Sequence, residues 1–296
     1  MAKFQIFTYM FRPMMENQLA LPFEEFERVD IQSSLARKQE LTDNYLHNEK
    51  LLKFSLNGTD YAHKTYINKG SIYAFRIANS SHKPAKLENN FNVVEFANHP
   101  SSLVIIDNRR DRQVIAIERN SAFGKEPSLS SIIQTTLRLA LASQRLTLDV
   151  TPKFHAAEFW QVVRTSMMQK GIETVDFPFA YPNLPAISDM VGEYMTGVAR
   201  RTNSEPTLHL KGQNGESVHL DQGDLWLLSA IKACAACGRP ILVKPKGMDV
   251  RKIGVESPVL EEIPDATLKD LGEIDLFDTK YQAIVNFLNS IKLVYD

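Results

Sequence analysis

Apolar positions along this chain follow two periods, and the change from one to the other divides it into elements. The run Phe4-Gln-Ile-Phe-Thr-Tyr-Met-Phe11, stopped by Arg12-Pro13, predicts a first β-strand. From Asp30 to Phe54, Leu35, Leu41, Tyr45, Leu46, Leu51 and Leu52 recur at roughly helical spacing, and Asn57-Gly58 supplies a stop and a turn. Three strand-like runs follow, Asp60 to Asn68, Ser71 to Ala78 and Phe91 to Ala97, with an exposed loop expected over Asn79 to Lys86. The segment Leu103 to Glu118 consists of two continuous apolar runs around a polar turn. It predicts a β-hairpin lying centrally in a sheet that is covered on both faces. A helix over Ser128 to Leu146, with Leu129, Ile132, Ile133, Leu137 and Leu141 on one side, supplies one cover.

Beyond Thr151-Pro152 helices alternate with single strands. The pattern predicts a helix over His155 to Lys170, a strand over Ile172 to Phe179 and a helix over Ile187 to Arg201. A hairpin over Thr207 to Leu220 is expected to turn at Asn214-Gly215. A helix over Gly223 to Ala236, a strand over Pro240 to Lys244 and a last helix over Lys280 to Leu293 complete the series. The expected fold is α+β: a mixed or antiparallel sheet with covering helices in a β-rich domain over 1–152, then an α/β domain with a β-hairpin over 153–296. A boundary near 204 is the second choice.

Composition narrows the class without naming an activity. The 296 residues are 44% hydrophobic and 23% charged, proportions of a folded globular protein and not of a disordered or fibrous one. The first twelve residues lack the uniform apolar core of a secretory leader, and the longest later apolar run, Leu225 to Cys237, falls short of the ~20 residues that a membrane span needs. Only Cys234 and Cys237 occur, which fits a reducing compartment, so a cytoplasmic protein without membrane insertion is expected. That pair ends a helix instead of beginning one, so it reads as two buried small side chains and not as a redox motif or zinc half-site.

Catalytic motifs are absent from the local pattern: no phosphate loop, no dinucleotide fingerprint, no nucleophile elbow, no His-Glu-x-x-His. No cofactor and no metal is called for. Asp107 and Glu118 invite comparison with the paired carboxylates of metal-dependent nucleases. With the turn centred on Arg109-Arg110 they stand about six residues, roughly 20 Å, apart along the ladder, and Asn120 occupies the place where such a motif wants Lys. A metal-dependent nuclease is the alternative function.

Charge changes the picture more. Lys+Arg 34 against Asp+Glu 35 leaves −1, yet the basic residues cluster: Arg109, Arg110 and Arg112 at the hairpin tip, Arg200 and Arg201 at a helix end, and Lys244, Lys246, Arg251 and Lys252 within nine residues holding one acid, Asp249. Acids accumulate separately in Glu256, Glu261, Glu262, Asp265, Asp270, Glu273 and Asp275. If the basic clusters converge they form a phosphate-contacting surface, against the ordinary reading of solvated tips and helix-end compensation. The stiff segment Phe177 to Pro185 offers Phe177, Phe179 and Tyr181 either to the core or to a protein partner.

The order Pro100-Ser-Ser-Leu-Val-Ile-Ile-Asp-Asn-Arg, a second strand Val114 to Glu118, Ala122-Phe123 before a long helix, and a later Gly-Arg-Pro-Ile strand resembles uncharacterised bacterial proteins encoded in phage-defence islands. The resemblance covers about Pro100 to Lys246. It implies a cytoplasmic sensor or adaptor in an antiviral complex, binding nucleic acid or a protein partner within an oligomer, and it hands over no catalytic residues.

Overall fold

The computed structural model describes residues 1–14, 30–79, 85–89, 92–96, 98–123, 128–255, 257–269, 271 and 273–295. Its elements in chain order are β1 (Ala2–Pro13), α1 (Ile31–Ala36), α2 (Lys38–His47), β2 (Phe54–Leu56), β3 (Thr59–Tyr61), β4 (His63–Lys69), β5 (Ile72–Ala78), β6 (Ala85–Asn89), β7 (Asn92–Phe96), β8 (Ser101–Asp107), β9 (Val114–Glu118) and α3 (Leu129–Leu141). They continue with β10 (Leu146–Pro152), α4 (Ala157–Gln169), β11 (Ile172–Pro178), α5 (Pro185–Val191), α6 (Glu193–Thr202), β12 (Thr207–Lys211), α7 (Leu225–Cys237), β13 (Ile241–Pro245), β14 (Arg251–Ile253), β15 (Leu260–Ile263), α8 (Asp265–Leu268) and α9 (Phe277–Ser290). The fold is α+β with antiparallel sheets.

The first sheet runs β10-β1-β9-β8-β5-β4, with β15 added to the start of β1. The Leu103 to Glu118 hairpin is its centre, as the two continuous apolar runs require. One face packs Phe7, Phe11, Phe75, Val104 and Ile115 against Ile132, Ile133 and Leu137 of α3. The other packs Phe4, Ile6, Leu103, Ile105 and Ala116 against Ile284 and Leu288 of α9. Burial on both sides is why neither run alternates with polar residues.

The second sheet runs β12-β11-β13-β14. Its inner face contributes Val175, Phe177, Ile241, Val243 and Ile253 to a third core with Phe159 and Val163 of α4, Ile187 of α5 and Leu227 and Ile231 of α7. Helix α7 begins at an Asp224 cap whose side chain accepts from Trp226 and Leu227 N–H, and stops at Gly238 in the left-handed region, φ +63°.

Several expectations need correction. The division at 152 separates the sheets, but β15 and α9 return to the first sheet, because the apolar faces of α9 and the Phe4-Ile6-Ala116 side complete each other. The predicted helix over Asp30 to Phe54 is two shorter helices joined at Arg37, whose φ −99° and ψ 12° leave the helical path. The helix over Ile187 to Arg201 breaks at Gly192, φ +89°. The hairpin over Thr207 to Leu220 does not close. Asn214 and Gly215 do make a tight turn at positive φ, but Val218 then donates its N–H to Ile172 O and buries its side chain in the third core. Strand β12 pairs instead with β11. In the loop expected over Asn79 to Lys86, Ala85 and Lys86 already belong to β6, and residues 80–84 lie outside the described residues; so do Phe91 and Ala97 at the ends of the third run, and the acids Glu256 and Asp270.

Candidate nucleic-acid interface

The outer face of the second sheet is built by strict alternation. Register places Lys211, Thr174 and Lys244 in one row across β12, β11 and β13, and His209, Asp176, Leu242 and Lys252 in the next across all four strands. Their neighbours in sequence, Val175, Phe177 and Val243, are fully buried on the inner face, so these seven point outward, and none of them is buried. With strands ~4.8 Å apart, Lys211 and Lys244 leave the backbone about 10 Å from each other.

Further cations join this face from its borders. Lys246 donates from Nζ to Gly215 O at 2.6 Å, and the Lys170 amine lies at the β13–β14 turn, where a Cβ on Gly247 would stand 3.9 Å from it. Lys244 pairs with Glu173 at 2.9 Å. That contact, reinforced by the charges of Lys211 and Lys246, holds the Glu173 carboxyl below the usual carboxylate range. His209 Nδ1 contacts Asp176 Oδ1. Arg251, opposite the inward-facing Val243, is exposed at the sheet edge and not in these rows. Lys170, Lys211, Lys244, Lys246 and Lys252 thus stand with Glu173 and Asp176 on and around this face.

The other basic clusters divide differently. Arg109 and Arg112 are engaged within the protein itself. Both grip the fully buried Asp107, and Arg112 also donates to Leu288 O at the end of α9. Arg110, with its side chain 93% exposed, remains at the tip. Its charge and that of Arg200 both act on a residue not singled out in the sequence, Lys38. Lys38 Nζ donates to Asn183 O at 2.8 Å and Arg200 Nη2 to the adjacent Pro182 O at 3.5 Å, so the two head groups sit on consecutive carbonyls. Burial pushes the Lys38 amine down, Asp111 opposes this, and the charges of Arg110 and Arg200 push it further down. Arg201 is exposed beside Gly197. Lys38 and Arg200 therefore form a second cationic locus within reach of the Arg110 charge, with Arg109 and Arg112 withdrawn from it.

The aromatic segment is core. Phe177, Phe179 and Tyr181 are 0%, 3% and 4% exposed, so they are not the partner surface that their composition allowed. Burial follows from position: Phe177 closes an inward row of β11 and Asn183 ties the segment to Phe11 O. Cys234 and Cys237 are buried, and burial pushes both thiols up, Cys237 to about 11.

The carboxylate pair is separated, though by less than expected. The loop is Asn108 to Gln113, Asp107 pairs with Val114, and Glu118 stands opposite Leu103, four residues along the ladder. Asp107 is occupied by two guanidinium groups; Glu118 accepts from Leu103 N and Arg76. Among the described residues no group of three or more His, Cys, Asp and Glu is arranged to hold a metal ion, and no helix is long and apolar enough to cross a membrane.

Two groupings escaped sequence reasoning. Lys211 and Lys170 lie in separate segments from Lys244; strand register joins the first to it, and the end of α4 brings the second to the β13–β14 turn. Asp43, on α2, accepts from Tyr73 O–H, Asn108 Nδ2 and Ser71 O–H, while Tyr73 O–H also meets His47 Nδ1. The Asp43–His47 spacing of four was the one local signal.

Models of known protein families do not match the chain, and no curated protein matches it.

Proposed function

We propose that the protein is a non-enzymatic, cytoplasmic sensor or adaptor of a bacterial antiviral complex, and that it engages the phosphate backbone of nucleic acid through the outer face of its second sheet. One observation carries this reading: the row Lys211–Thr174–Lys244, with Lys252 one row away, on a face whose residues are all solvent-accessible. A face with no Phe, Tyr or Trp in these rows offers charge with little stacking, so binding is expected to be sequence-tolerant and steeply salt-dependent. The Lys38–Arg110–Arg200 locus is a second point of phosphate contact. A protein partner and self-association belong to the same reading, as the sensor must pass its signal on.

The nuclease alternative gains nothing from the site, because Asp107 and Glu118 already have cationic or backbone partners. The test is anisotropy of a labelled oligonucleotide across a salt series. Lys244→Glu with Lys246→Glu should weaken binding about tenfold or more and flatten the salt slope by about two contacts. Unchanged affinity and slope would remove the sheet face from the interface. Mg²⁺-stimulated cleavage by the pure protein would replace the adaptor reading with the nuclease one.

A further inference from the structure

A cleft of about 350 Å³ opens on the first sheet, remote in sequence from the cationic face, between the strands and the segment that follows β15; Lys64, Tyr66, Arg76, Leu103, Leu271 and Glu273 line it, with Leu268 of α8. Its floor is set by register. Lys64 pairs directly with Arg76, and Arg76 with Leu103, so the three side chains leave neighbouring strands on one face. Glu118 continues the row and accepts from Arg76 Nη1 at 3.4 Å and from Leu103 N at 2.9 Å, which holds the guanidinium against the floor with donors to spare.

Tyr66 enters the same cleft because of a β-bulge. Thr65 pairs with Phe75 and Ile67 with Ala74, which leaves Tyr66 as the extra residue of β4. A bulge re-aims one side chain: Tyr66 and Ile67 both join the α9 face, and the Lys64 ammonium stands 5.2 Å from the Tyr66 ring centroid. The cleft therefore combines two cations on paired positions, one aromatic ring, an apolar wall of Leu103, Leu268 and Leu271, and the Glu273 carboxylate.

We propose that this cleft binds a nucleoside monophosphate. Lys64 and Arg76 take the phosphate, whose several oxygens accept from the ammonium and from the guanidinium donors that Glu118 leaves free. Tyr66 and the leucines take the base, and Glu273 accepts from ribose hydroxyls or an exocyclic amine. The volume lies at the lower end of small-molecule sites, the size for one nucleotide and not for a dinucleotide. Nothing in this assignment depends on the second sheet.

Isothermal titration of the full chain, stripped of nucleic acid, tests it with AMP, GMP, CMP and UMP, and with adenosine and inorganic phosphate as part-ligands. At least one monophosphate should bind saturably with Kd below ~1 mM, and its nucleoside and phosphate alone at least about tenfold more weakly. Lys64→Glu, an exposed position, and Tyr66→Leu should each weaken it about tenfold, whereas Lys244→Glu should leave it unchanged. No saturation by any monophosphate at ~10 mM, equal binding of phosphate alone, or full affinity in Lys64→Glu would each overturn the assignment. None of these results bears on oligonucleotide binding, so the two proposals fail separately.

Discussion

Arg109 grips Asp107 through two parallel hydrogen bonds, Nε to Oδ1 at 2.8 Å and Nη2 to Oδ2 at 2.7 Å, while Arg112 Nε reaches Oδ2 from the other side at 3.2 Å. The carboxylate has no exposed surface, and the two arginines extend to Asn289 Oδ1 and Leu288 O at the end of α9. One buried charge thereby fastens the hairpin tip to the C-terminal helix. Residues that looked like a solvated basic tip are a clamp between elements about 180 positions apart in sequence.

Removing that charge should be costly. Asp107→Asn preserves shape but leaves two guanidinium groups without their anion, and a buried pair broken on one side costs about 3–5 kcal/mol. Urea denaturation should show a lowered midpoint at unchanged slope. Arg109→Gln should cost less, since Arg112 still partners the carboxylate. Equal stability of Asp107→Asn and the native chain would mean that the clamp contributes nothing.

Lys153 makes stability depend on pH. The residue is 1% exposed and its amine donates to Lys292 O and Leu293 O, with no carboxylate partner among the described residues, and burial pushes it down to about 7. In the unfolded chain the same amine protonates below about 10.4. Between those values unfolding takes up a proton, so this group's contribution to stability falls as pH drops from about 10.4 to 7 and is constant below. The raised thiols of Cys234 and Cys237 act in the opposite sense above ~8.5, where unfolded thiols ionise. The measurement is therefore the difference between the native chain and Lys153→Met from pH 7 to 9.5. The native chain should gain stability relative to the variant as pH rises. A constant difference would show that the amine stays charged in the fold.

Gly238 joins the two halves at the end of α7. A Cβ there would lie 2.5 Å from Pro152 O and 2.8 Å from Thr151 Oγ1, on a residue at φ +63°. Thr151 Oγ1 also donates to Cys237 O at 2.7 Å. Gly238→Ala combines backbone strain with a clash against a carbonyl, so it should destabilise by more than the ~1 kcal/mol of the conformational effect alone. Calorimetry should record a lower Tm, by at least about 2 °C. An unchanged Tm would show that the halves can separate at this point without cost.

The local elements were largely legible because the signals behind them are local. Phe4 to Phe11 became β1, Leu103 to Glu118 became the central hairpin, and the Leu129–Leu141 period became α3, since continuous apolar runs and a 3.6 repeat each report which sides are buried. Asn57-Gly58 forms the β2–β3 turn at φ +50° and +79°. At Asn214-Gly215 the same signal produced a turn but no hairpin, because burial of Val218 against Ile172 outweighed pairing along β12.

The sequence by itself determined the α+β class, the central hairpin, the burial of the two cysteines and the presence of clustered cations. Only the tertiary structure decided which cations share an exposed face. Arg109 and Arg112 are spent on Asp107, Arg200 sits beside Lys38 on consecutive carbonyls, and Lys244 finds Lys211 across β11. Charge along a chain has no direction until strand register and helix packing assign each side chain a face. Those assignments are made by apolar partners elsewhere in the sequence, such as α9 returning to cover β1, and no local pattern encodes them.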